Sequence, residues 1–243
     1  MSIQFKERTV IAHRGACAVA PENTLAAFDR ALAMGAQWIE FDVMLSHDQE
    51  PFVFHDLLLN RTTNGEGKFK EKDAVYLRSL DAGAWFSPAF SGEKIPHFKD
   101  VLKWLLFTNT HANIEIKAPI GLEAQTAEVV MQHLLSLWPV DQPLPLVSSF
   151  HLEALQSCRA LAPELPIGFL MHTWEDGWQQ QASALRCSTV HVNHHFLTRA
   201  RVNEIKQAGW LALGYTINRK RLAHKLFSWG VDAIFSDYAD LCL

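Results

Sequence analysis

No C-x-x-C pair occurs in the chain, and its four cysteines, Cys17, Cys158, Cys187 and Cys242, are scattered over 243 residues. That pattern excludes a cysteine-ligated zinc site of usual spacing and a disulfide framework. Charge of one sign is also missing: 22 Lys and Arg stand against 26 Asp and Glu, for a net charge of -4, with no basic block. Nucleic acid is therefore excluded as a partner. Long hydrophobic runs are absent. Trp104-Leu105-Leu106-Phe107 is among the most apolar stretches, far short of the roughly 20 residues a membrane span needs. Stable membrane insertion is not expected. Residues 1–8 lack the apolar core of a signal peptide, so reduced thiols and a cytoplasmic location are the expectation. No G-x-G-x-x-G follows the first apolar run, which weakens a dinucleotide-binding fold. Repeats, low-complexity segments and linkers are missing too, and 1–243 is expected to form a single domain.

What remains is a globular composition, 49% hydrophobic and 20% charged, sufficient for a sizeable core. Apolar runs end in Thr9 to His13, Gln37 to Leu45, Asn113 to Lys117, Leu144 to Phe150, Ile167 to Met171, Thr189 to Asn193, Trp210 to Ile217 and Ala233 to Ser236. Stretches of helical period separate them; the first is opened by Glu22 or Asn23 and stopped by Gly35. Eight strand–helix steps predict an α/β fold, a closed (β/α)8 TIM-like barrel in preference to an open doubly wound sheet. One apolar run, Pro51 to His55, follows its predecessor too closely for a parallel crossover. It is read as a short β-hairpin that brings His55 opposite Glu40 or Phe41. From about residue 57 to 98 periodicity is lost. This stretch is read as an excursion over the C-terminal face, where such long connections are usually functional.

In a barrel, functional side chains belong at the C-terminal ends of strands, and the polar exceptions fall there. They are His13 and Arg14, Glu40 and Asp42, Glu115 and Lys117, Ser148 and Ser149, His172, His191 and Asn193, Tyr215 and Asn218, and Ser236 with Asp237. Glu40 and Asp42 are two apart on a strand and share a face, and Glu115 and Lys117 repeat that spacing. Three converging carboxylates repel one another unless a cation sits among them, and oxygen ligation suits Mg2+, Ca2+ or Mn2+. The competing reading is a buried ion pair of Glu40 or Glu115 with Arg14 or Lys117. His13 and His55 suit general acid–base work. Arg14 and Lys117 suit a phosphate. His191, His194 and His195 are read as polar rim. Trp85 and Phe86 either floor a pocket or pin the excursion.

His-Arg-Gly at residue 13, Pro-Glu-Asn-Thr at 21, Glu-x-Asp at 40, His-Asp at 55 and Glu-x-Lys at 115, in this order, resemble the glycerophosphodiester phosphodiesterase family. The likeness runs from His13 to Asp237 and is to its short, soluble bacterial cytoplasmic type. It implies metal-dependent hydrolysis of a small-molecule glycerophosphodiester to sn-glycerol 3-phosphate and the head-group alcohol. Carried over position by position, it implies Glu40, Asp42 and Glu115 as metal ligands and His13 and His55 as the acid–base pair. Arg14 and Lys117 become substrate-binding residues, and Asn23 orders the first loop. Departures are Ala16-Cys17-Ala18 in place of further glycines, Tyr215-Thr216-Ile217-Asn218 in place of Trp-Thr-Val-Asn, and Ser236-Asp237 in place of Thr-Asp. Two competing readings stand: a lipid-directed, phospholipase D-like barrel and a non-catalytic phosphodiester-binding barrel. Head-group preference, the resident metal, the division of acid and base between the histidines, the nucleophile and the oligomeric state stay open.

Overall fold

Short apolar runs rich in β-branched residues alternate with amphipathic stretches, and the chain folds accordingly. The structure, a computed structural model, describes residues 3–242. Within them a single sheet contains β1 (Thr9–His13), β2 (Trp38–Leu45), β3 (Pro51–Val53), β4 (His111–Ile116), β5 (Leu146–Ser149), β6 (Ile167–Met171), β7 (Thr189–Asn193), β8 (Leu211–Tyr215) and β9 (Ala233–Ser236). All but β3 are parallel, and they close into a ring because β1 pairs with both β2 and β9. The (β/α)8 barrel expected from the sequence is what forms. Strand β3 runs antiparallel to β2, with Val43 opposite Val53. The ladder ends at Val53, short of the expected pairing with Glu40 or Phe41, and the chain beyond it carries His55 into the barrel mouth. The linking residues are tied back when Ser46 Oγ accepts the Glu50 N–H at 2.9 Å.

Helices α1 (Leu25–Ala33), α3 (Phe98–Thr108), α4 (Glu123–Leu137), α5 (Leu152–Leu161), α6 (Trp178–Ala184), α7 (Arg199–Gln207) and α8 (Lys220–Ser228) lie between barrel strands, and the short α2 (Ala74–Ser79) belongs to the excursion. One boundary differs from expectation. Helix α1 is capped by Thr24, whose hydroxyl accepts the Ala27 N–H at 3.2 Å. Glu22 and Asn23 do not open it, because their side chains point into the barrel mouth and bond Arg14 and Asp42 there. Thr24 is a good N-cap in their place, worth about 1 kcal/mol.

The period of two along each strand sorts the barrel interior into layers. Ile11, Trp38, Leu146, Leu213, Ala233 and Phe235 form the buried apolar lower layer. Two residues further along their strands, on the same face, come His13, Glu40, Ser148 and Tyr215. The polar layer at the mouth thus rests on a packed apolar floor. Outside the ring, a larger apolar core joins strands to helices, with Phe28, Phe41 and Phe98 at its centre. A third core belongs to the excursion: Phe52 and Phe54 from the hairpin pack with Leu59, Phe69, Leu77, Leu80 and Ile95. Trp85 donates its indole N–H to the Ala82 carbonyl at 2.8 Å and sits edge-on to Phe86. These two aromatics pin the excursion to itself and leave the pocket floor to other residues.

Candidate active site at the barrel mouth

The site starts from a strained turn. Strand β1 ends at His13, and Arg14 and Gly15 follow with φ of 55° and 81°. A side chain at Gly15 would place its Cβ 2.7 Å from the Ala27 backbone, so only glycine lets α1 approach this closely. That turn aims the Arg14 N–H at Glu40 Oε2 (3.0 Å) and its guanidinium at Glu22 Oε1 (2.8 Å) and Asp42 Oδ2 (3.3 Å).

Glu40, Asp42 and Glu115 come from adjacent strands, with Asp42 level with Glu115. Each offers a carboxylate oxygen within 4.8 Å of the others. Glu40 and Asp42 are about 98–99% buried. Glu40 Oε1 and Glu115 Oε1 are buried without a hydrogen-bond partner, an arrangement that proteins seldom leave uncompensated. Burial, then the neighbouring carboxylates, pushes Glu40 well above the usual carboxyl range and Glu115 up to about 7. Asp42 goes the other way: against its burial, Arg14, His55 and Lys117 and a 2.9 Å hydrogen bond from Asn23 hold it low. Lys117 lies 3.8 Å from Asp42 and 3.7 Å from Glu115. Lys117 stands as an ion pair beside Glu115 Oε1, at 3.7 Å beyond hydrogen-bond distance, so the ion-pair reading accounts for Glu115 in part and leaves Glu40 Oε1 unexplained. An all-oxygen trio of this kind fits a hard divalent cation.

Each histidine leans on its own carboxylate. His13 Nδ1 meets Asp237 Oδ1 at 2.7 Å, and Asp237 also accepts from Cys17 Sγ (3.2 Å) and Asn218 Nδ2 (2.5 Å). Although burial would raise the Asp237 carboxyl, these donors bring it down to about 2. His55 Nδ1 meets Asp56 Oδ1 at 2.7 Å. Arg61, from the excursion, clasps Asp56 through Nε (2.5 Å) and Nη2 (2.9 Å), and with the same guanidinium grips both oxygens of Glu22 at 2.7 Å. Hydrogen bonds from Arg61 are the main reason the Asp56 carboxyl sits far below its usual range. Burial lowers His55, with the Asp42 charge opposing. Both imidazoles are thereby fixed through Nδ1, which leaves Nε2 for other work.

Six of the seven residues singled out in the sequence, His13, Arg14, Glu40, His55, Glu115 and Lys117, line one cavity of about 290 Å³. Asp42 lies behind them, in contact with Arg14 and Lys117. His172 and Tyr215, two of the other polar strand-end residues, also line it, and Asn113, which the sequence did not single out, joins them. Asn113 and His191 lie deeper in the same cavity, with Asn113 Oδ1 and His191 Nδ1 unpartnered. His191 is fully buried, which corrects its reading as rim: it sits on the inward face of β7 two residues after Thr189, whose hydroxyl it meets at 2.7 Å. Arg61 gave no signal beyond its position five residues after Asp56, in a turn-rich stretch. A second, outer groove of about 520 Å³ shares His55, Glu115, Lys117 and Phe150 with the cavity; Met44, Leu57, Leu58, Ile116 and Ala118 add an apolar wall, and Asp56 and His151 a polar edge. Among the described residues no helix is long and apolar enough to cross a membrane.

Comparison with known proteins follows this geometry. The profile of the Glycerophosphoryl diester phosphodiesterase family matches residues 13–241. The chain is 36% identical to the Bacillus subtilis (strain 168) protein YhdW, over 96% of each chain. It is 32% identical to a glycerophosphodiester phosphodiesterase of Caldanaerobacter subterraneus, over 94% of this chain and 93% of the other. Among solved structures, a phosphodiesterase of Oleispira antarctica in complex with the product sn-glycerol-3-phosphate superposes with a TM-score of 0.92. That protein is 40% identical, over 96% of this chain and 94% of the other.

Proposed function

The chain belongs to the glycerophosphoryl diester phosphodiesterase family, and from that membership we infer that its barrel mouth hydrolyses glycerophosphodiesters to sn-glycerol 3-phosphate and a free alcohol. The observation that carries the reading is the meeting, in one cavity, of Arg14, two carboxylate-backed histidines and a trio of carboxylates with unpartnered oxygens. Glu40, Asp42 and Glu115 would hold a divalent cation, which when bound would supply Lewis-acid polarisation of the phosphate and offset charge developing on its oxygens. Arg14 binds a phosphate oxygen, and Lys117 adds positive charge beside it. Asp237 and Asp56 hold His13 and His55 with Nε2 toward the substrate. One ring takes the proton of the nucleophile and the other delivers a proton to the leaving alkoxide. A substrate with a good leaving group restores activity only to the variant that lacks the acid, which assigns the two roles. A substrate without the glycerol 2-hydroxyl is left uncleaved only if that hydroxyl is the nucleophile.

The outer groove favours a second, wider reading of the substrate. Because it meets the inner cavity at His55, Glu115 and Lys117, a diester centred there has one half in each space. The polar inner cavity suits the glycerol half. Exposed Leu57, Leu58 and Phe150 in the groove suit an alcohol with an apolar substituent.

The test is release of glycerol 3-phosphate from glycerophosphocholine, followed by a coupled dehydrogenase with Mg2+, Mn2+ or Ca2+ and with EDTA. Metal-dependent release supports the reading. No release with any of the three metals, from any common head group, overturns it.

A further inference from the structure

A second group of ligand-bearing side chains lies on the β1–β9 side of the mouth, and its chemistry differs from that of the carboxylate trio. His13, Cys17 and Asp237 each offer one donor atom, and these lie within 4.8 Å of one another. The loop that carries Cys17 is pinned: Ala16 N–H donates to the Ala27 carbonyl at 3.0 Å and Ala18 N–H to the Asp237 carbonyl at 3.1 Å. All three residues are partly exposed, so an ion can reach them from solvent. One nitrogen, one sulfur and one oxygen donor with an open side is the set that suits a borderline-soft ion and is wrong for Mg2+ or Ca2+.

We propose that His13, Cys17 and Asp237 form an inhibitory site for Zn2+, and for its softer analogue Cd2+, separate from the Glu40, Asp42 and Glu115 trio. This rests on His13 being a proton-transfer residue, as inferred above. Zinc bond lengths and a tetrahedral angle require donor separations of about 3.4–3.6 Å. The present hydrogen-bonded contacts of 2.7 and 3.2 Å therefore open by roughly 0.7 and 0.4 Å as the ion takes their place. The Cys17 proton is released to solvent and the thiolate becomes a ligand. In the free protein, burial and the Asp237 charge push the thiol well above its usual range, so it stays a hydrogen-bond donor until a cation replaces the proton. The His13 ring proton, which Nδ1 gives up to the ion, passes through solvent to Nε2; the ring then has no free nitrogen to take a proton, and giving up the Nε2 proton would leave an imidazolate, so it no longer works as acid or base.

The decisive measurement titrates Cd2+ into the full-length protein held in saturating Mg2+, following the ultraviolet charge-transfer absorption of a cadmium–thiolate bond. Wild type, Cys17→Ala and Cys242→Ser are compared, with Zn2+ inhibition of each relative to its own uninhibited rate. The expected result is a band that saturates near one equivalent in wild type and Cys242→Ser and is lost in Cys17→Ala. Zn2+ inhibition then weakens by at least about tenfold in Cys17→Ala, since even outer partners of a metal ligand are worth that much. A band that survives in Cys17→Ala, or Zn2+ inhibition that is equal in the two proteins, overturns the proposal. The absorption reports on the site whether or not glycerophosphocholine is cleaved, so failure of the wider functional reading is seen separately.

Discussion

On the β2–β4 side of the mouth three carboxylates crowd together with two oxygens unpartnered, and two of the three are pushed toward the protonated state. On the β1–β9 side, and at the end of the hairpin, the acids are supplied with donors: Asp237 has three and Asp56 has His55 and Arg61. The first arrangement is incomplete without an added positive charge. The second is complete and rigid without one. A region left short of positive charge draws a hard cation without giving up any proton, whereas a region supplied with donors holds its rings in one tautomer and admits a softer ion only where that ion displaces protons already bound.

The sharpest way to break this comparison is to satisfy the first region by mutation. Glu40→Gln removes one repelling charge and keeps the shape. It is expected to cut turnover by at least about 10³-fold, since cation-linked stabilisation of the transition state is worth several kcal/mol. The same change raises the stability of the metal-free protein at neutral pH, because every unit by which a carboxyl is held above its usual pKa costs about 1.4 kcal/mol once it ionises. It also abolishes the rise in Tm that Mg2+ or Ca2+ gives wild type, which at 100 times Kd corresponds to about 2.7 kcal/mol. Calorimetry with and without EDTA reads the two stability effects, and the coupled dehydrogenase assay reads turnover. A variant that loses activity yet keeps the metal-induced rise places the cation elsewhere.

The histidine side answers differently. His13→Ala and His55→Ala are each expected to lower kcat by about 10²–10⁴-fold while leaving the metal-induced rise in Tm intact. Loss of that rise in either variant means the two regions are one electrostatic unit.

Both regions were legible in the sequence to different depths. The trio could be read because a strand fixes the face: Glu40 with Asp42 on β2 and Glu115 on β4 have one place to go once the strands are parallel and adjacent. His13 was equally plain. His55 depended on a hairpin, which forms, but its ladder ends at Val53, and the chain beyond the ladder carries His55 into the mouth. The supports were harder to see. Asp237 stood out as a strand-end acid, but its bond to His13 joins residues 224 apart. Arg61 sits in an aperiodic stretch where neither burial nor face can be read, and its role exists only because the excursion folds back onto Glu22. His191 and His194 look alike in sequence. One falls on the inward face of β7 and the other in the turn after it; the strand was read with its actual bounds, Thr189 to Asn193, and what went unread was that its residue 191 faces the barrel interior.

Arg61 tests how far the satisfied region depends on its supports. Arg61→Ala leaves Asp56 with His55 alone and frees Glu22 from one of its two arginines. The expected cost is about tenfold in kcat with a smaller change in KM, partly restored by Arg61→Lys. A change in KM alone shows that Arg61 binds substrate instead of holding Asp56.

A third environment, beneath both regions, gives the smallest effect. His191 has no carboxylate beside it, only the Thr189 hydroxyl, and Gly168 clears the space its ring fills, since a Cβ there would come within 2.6 Å of it. Burial alone pushes its pKa from 6.5 down to about 3. A histidine held neutral in the folded state and free to charge when unfolded contributes stability that is fully present above about pH 6.5 and is lost as pH falls toward 3. His191→Gln removes that dependence at a cost that is itself independent of pH. Urea unfolding at pH 7 and pH 5 is then expected to show wild type losing more stability than the variant, by about 1.4 kcal/mol for each pH unit below 6.5. Equal losses would mean that His191 takes up a proton in place in the folded protein.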